Sequence, residues 1–79
     1  MSRFGRAAAA LDEAEDISGN RIGGPTNRDL RRVWARERRV HRLRPETAED
    51  WRWAMARLAR AHVNGWYEEA TAPLLRLAM

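Results

Sequence analysis

The chain has no cysteine, no lysine and no apolar run longer than five residues. The first absence excludes disulfides and thiolate metal sites and leaves the redox compartment open. The third excludes a bilayer-spanning segment, which needs roughly 20 consecutive apolar residues. The run Ala7 to Leu11 follows Arg3 and Arg6, but Asp12, Glu13, Glu15 and Asp16 come directly after it, so it cannot serve as a signal-peptide core. A soluble, cytoplasmic protein that engages no membrane is the expectation.

Large apolar side chains are also scarce. Of the 79 residues 44% are apolar, which is 35, and 14 of these are alanine, leaving 21 to build a core. This length allows one domain, 1–79, and a core so small supplies only about 3–5 kcal/mol. With disulfides excluded, the expected remedy is a homo-oligomer or a stabilising partner, with the third helix or the Leu74, Leu75, Leu77 tail at the contact.

The missing lysine makes every one of the 15 basic residues an arginine, giving a net charge of +4 and a pI near 11.2. Arginine binds carboxylate or phosphate bidentately and stacks on rings, whereas lysine is a flexible point charge. Codon usage in a GC-rich genome replaces lysine with arginine without any functional cause. The positions of the arginines, not their number, therefore carry the meaning.

What is present is helix-forming. Phe4, Ala7, Ala8, Leu11, Ala14 and Ile17 fall at three-four spacing after a candidate N-cap, Ser2, which predicts a helix over about 4–17. Gly19-Asn20 stops it, and the glycine-rich segment 19–25 reads as a flexible loop. It lacks the Gly-Lys-Ser/Thr ending of a P-loop, and no strand precedes it. Thr26-Asn27-Arg28-Asp29 is a capping-box start for a second helix over 27–43, broken by Pro45. Thr47-Ala48-Glu49-Asp50 repeats the signature for a third over 47–63, with Trp51, Met55, Leu58 and His62 as its apolar stripe. Trp66 to Ala72 predicts a short fourth helix, or an apolar tail, within 66–78. No period-two pattern occurs, so the fold class is all-α, a three-helix or four-helix bundle with Trp34, Trp51, Leu58 and Leu30 in its core.

Residues 21–44 hold nine arginines against Asp29 and Glu37, a net +7, while residues 1–20 sum to −2 and residues 45–79 to −1. On a helical wheel Arg28, Arg31, Arg32, Arg36, Arg38, Arg39 and Arg42 cover one broad face, and Leu30, Val33, Trp34, Val40 and His41 the other. Such a face suits phosphates or an acidic protein. The plainer reading is a solvated face neutralised by acids of the first and third helices. Trp53, Arg57 and Arg60, at i, i+4 and i+7 on the third helix, form a second candidate patch of the composition found at hot spots and base-stacking sites. Its plainer reading is that Trp53 packs under a neighbouring helix. Glu37 lies within the apolar face of the second helix and needs a partner, either His41 one turn on or an arginine from another helix.

Neither catalysis nor a cofactor is expected. No nucleophile, base and orienting group occur at a recognised spacing, and His41, His62 and Glu37 fall short of a metal ligand set. The expected function is therefore a non-enzymatic binding module that engages nucleic acid or a nucleoprotein complex mainly through the backbone. The second helix, the Pro45 turn and the third helix have the outline of a helix-turn-helix, although the third presents few polar side chains for reading bases. The alternative is a small inhibitor of the kind that phages and mobile elements make, anti-CRISPR proteins included, or an assembly subunit, docking an acidic surface of a larger complex.

Overall fold

A computed structural model describes residues 1–64, with side chains through residue 60. It contains three helices, α1 (Arg3–Gly19), α2 (Asn27–Arg42) and α3 (Ala48–Asn64), and among the described residues no strand. The all-helical bundle is therefore present, each helix end lying close to its expected position. The expected fourth helix over 66–78, the Leu74, Leu75, Leu77 tail and the side chain of His62 lie outside the described residues.

Local chemistry starts each helix where the capping residues stand. Ser2 accepts the Gly5 amide at 2.8 Å. Thr26 accepts the Asp29 amide at 3.1 Å, and the Asp29 carboxylate accepts the Thr26 amide in return at 2.9 Å, completing a capping box. Thr47 and Asp50 make the same reciprocal pair at 3.0 and 3.2 Å. Asp50 also accepts the Glu46 amide and the Ser2 hydroxyl, so one buried carboxylate joins the N-termini of α1 and α3. These hydrogen bonds, the one from Ser2 foremost, hold its pKa below the ordinary carboxylate range.

The loop between α1 and α2 is less free than its glycines suggest. Gly23 and Gly24 take φ of 86° and 90°, the left-handed region that side chains avoid, and the Gly24 amide closes a turn on the Arg21 carbonyl. The Arg21 guanidinium then reaches forward to grip the buried Asp29 carboxylate with two hydrogen bonds, of 2.5 and 2.8 Å. Asp29 is thus clamped by Arg21 and by the Thr26 cap. Both hold its carboxyl far below the usual range.

α1 is the central element. α2 packs along much of it, and α3 touches it more sparsely. Arg36 of α2 reaches Ala10, while Asp50, Trp53 and Arg57 of α3 meet Ser2, Asp12 and Glu15 in turn, so α3 runs in the same general direction as α1. Phe4, Leu11 and Val40 are fully buried, with Ala7, Ala8, Ala54 and Leu58 around them and Val33, Leu43 and Trp53 packed against the cluster.

This core differs from the expected one. Of Leu30, Trp34, Trp51 and Leu58 only Leu58 belongs to it, Leu30 being half-buried, Trp34 53% exposed and Trp51 36% exposed. The cause is the alanine-rich face of α1, which turns Val33 and Val40 of α2 inward and leaves Trp34, about 100° round the helix, outside.

Candidate functional site

The outward face of α2 is where positive charge stays uncompensated. Arg28, Arg31, Arg38, Arg39 and Arg42 are exposed and Arg32 is partly so, and the side chain of none of the six makes an ion pair or hydrogen bond among the described residues. Neutralisation by acids of α1 and α3 is absent there. Asp29 is committed to Arg21, Glu15 and Glu37 to Arg57, and Asp50 to the two N-caps. Arg36 departs from the group, since it is half-buried and donates to the Ala10 carbonyl at 2.8 Å.

Two borders frame the arginine face. Towards α1 it ends in a cleft of about 300 Å³ lined by Arg6, Ala7, Ala10, Arg36 and Arg39, so Arg6 extends the basic surface onto a second helix. Towards the opposite side it ends at Trp34, one turn from both Arg31 and Arg38. Arg6 could not be found by periodicity, because only the α1–α2 packing brings it beside Arg39. Trp34 left a trace in the sequence: on the wheel it adjoins Arg38 and Arg31 at the edge of the apolar stripe.

No protein family, curated protein or solved structure among known proteins matches the chain.

The second candidate patch is corrected. Arg57 does not stand outward beside Trp53 and Arg60; it is 9% exposed and pairs with Glu15 at 3.0 Å and Glu37 at 2.9 Å. Of the two partners the sequence allows for Glu37, the cross-helix arginine is the one present. Trp53 is half-buried, edge-on to Phe4 with ring centroids 5.6 Å apart, and donates its indole N–H to Asp12 at 2.9 Å. The Arg57 guanidinium lies over the same ring, 5.5 Å from its centroid. Arg60 is exposed but borders a groove lined by Asp12, Glu13, Glu15 and Asp16. Trp53 and Arg57 thus hold helices together, and the ground beside Arg60 is acidic.

His41 lies at the inner edge of this network. It is half-buried, and its Nε2 has no hydrogen-bond partner. Burial first, and then the nearby Arg57 charge, hold its pKa below the ordinary imidazole value. Among the described residues no group of three or more histidine and carboxylate side chains could hold a metal ion, and no helix is long and apolar enough to cross a membrane. A groove of about 540 Å³ between the N-terminal halves of α1 and α3 is lined by Ser2, Gly5, Ala8, Asp12, Asp50 and Trp53 among others, and within it the Ser2 hydroxyl is held by the Asp50 carboxylate as part of the helix caps.

Proposed function

We propose that the protein is a non-enzymatic nucleic-acid-binding module whose contact surface is the arginine face of α2, continued by Arg6. The observation that carries this reading is the set of outward arginines without a carboxylate partner, beside a helix whose own acids both point inward to Arg21 and Arg57. Planar guanidinium groups spaced along one helix suit a row of phosphates, which accept bidentate hydrogen bonds and release counterions when they are neutralised. Apart from arginine, which can also reach guanine, the face offers little for reading base edges in a groove, so affinity rests mainly on the backbone. α3 makes a poor recognition helix, since Trp51 and Met55 stand outward on it and Glu46 and Glu49 flank its start.

The test is the salt dependence of binding to short DNA and RNA oligonucleotides by fluorescence anisotropy. Affinity should fall steeply with salt, and replacing Arg31, Arg38, Arg39 and Arg42 with glutamine should reduce the log–log slope by roughly 0.7–0.9 for each phosphate that is no longer neutralised. Absence of binding at low salt, or an unchanged slope in the variant, would overturn the reading. An acidic protein partner recovered in place of nucleic acid would replace it.

A further inference from the structure

We propose that the strand this face holds is single-stranded, with one unpaired base stacked on the ring of Trp34. The inference rests on the nucleic-acid reading above and names the kind of nucleic acid. Trp34 is 53% exposed, more than Trp51 at 36%, whereas Trp53 is packed beneath Phe4 and Arg57. Among the described residues neither a second ring nor a guanidinium covers it, and it does not belong to the core cluster. Among the described residues its indole is therefore a half-exposed, uncovered aromatic surface.

Its neighbours on the helix decide what that surface suits. Arg31 lies three residues before it and Arg38 four residues after, both exposed and without an ion pair, so cations flank the ring along the helix axis. Glu37, also one turn away, is already paired with Arg57. Trp51 has no cation at the equivalent positions, which are Thr47, Ala48, Ala54 and Met55. Among the described residues only Trp34 thus combines an exposed ring with phosphate-binding groups on both sides. In a duplex the bases stack on one another inside the phosphate perimeter, and an indole beside the arginines meets no base face. A single strand presents both together, as on the stacking platforms of single-strand binders.

Three probes of matched length separate the contributions by fluorescence anisotropy at fixed low salt: an oligothymidylate, a blunt DNA duplex, and an abasic strand with the same phosphates. The intact protein should bind the oligothymidylate more tightly than the abasic strand. Trp34→Ala should weaken oligothymidylate binding roughly 5- to 100-fold, leave the other two probes unchanged, and be partly rescued by Trp34→Phe. Trp34→Leu, which keeps apolar bulk without a π-face, should behave like Trp34→Ala and guards against loss of fold. Equal affinity for strand and abasic strand, or no effect of Trp34→Leu on the oligothymidylate while the four-arginine variant weakens binding of every probe, would overturn the stacking inference and leave phosphate binding standing. No binding of any probe by the intact protein would overturn both.

Discussion

Arg57 joins all three helices through one guanidinium, pairing with Glu15 of α1 and Glu37 of α2 while lying on the Trp53 ring. Charges in such a position are costly to bring in and more costly to separate, because a partner left behind is desolvated without compensation. Both carboxylates keep some exposure, so the low end of the usual range applies. Arg57→Met should destabilise the fold by about 3 kcal/mol in urea unfolding, and adding Glu37→Leu should restore part of that stability. A second change that destabilises further would show that Glu37 has another partner.

His41 gives this network a pH dependence. The folded protein disfavours its protonated form, so the unfolded chain takes up the proton first as pH falls below about 6.5. Stability should therefore drop on acidification from neutrality. Asp29 and Asp50 act lower: their folded pKa values are depressed, so their contribution is intact above about 4 and is lost as pH falls through the folded values. Melting temperature against pH should show two descents, and His41→Leu should abolish the upper one while keeping the lower.

At the scale of the element, the caps and the loop set where helices begin. Thr26→Ala and Thr47→Ala should each cost about 1 kcal/mol, the usual value of an N-cap hydroxyl. Gly24→Ala should cost about 1–2 kcal/mol because its φ of 90° is left-handed, although nothing lies within 4 Å of the added methyl. Gly19→Ala, also open in space but helical, should instead stabilise slightly. Thermal unfolding of the three kinds of variant checks the signs.

These features were legible because they are local. A threonine with an aspartate three residues on, a proline after a charged run and a three-four apolar spacing each act within one turn. Which part of a wide apolar stripe meets a neighbour is a long-range matter. The wheel could place Trp34 and Val40 on one side of α2, but only α1, with its alanines, selects Val40. For the same reason Arg57 read as a surface cation: its partners, Glu15 and Glu37, are 42 and 20 residues away. The arginine face was legible as a composition and a periodicity, whereas its lack of neutralising acids required the packing.

At the scale of the whole molecule, charge and stability are in tension. Six arginines stand on the outward face of α2 without an ion pair among the described residues, and mutual repulsion of like charges on one helix opposes folding. Against a core expected to supply only about 3–5 kcal/mol, even a few tenths per pair is a measurable fraction. Salt screens such exposed charges, with a Debye length of about 10 Å at 0.1 M and about 3 Å at 1 M. Added sodium chloride should therefore raise the melting temperature of the intact protein, the opposite of what a surface held by exposed salt bridges would show. Replacing Arg31, Arg38, Arg39 and Arg42 with glutamine should raise it at low salt and flatten its dependence on salt, while reducing the salt dependence of nucleic-acid binding. The two slopes, of stability and of affinity, would then fall together in one variant because the same uncompensated charges produce both. If the variant is no more stable than the parent at low salt, repulsion across the face is negligible and the arginines carry no cost for a ligand to relieve.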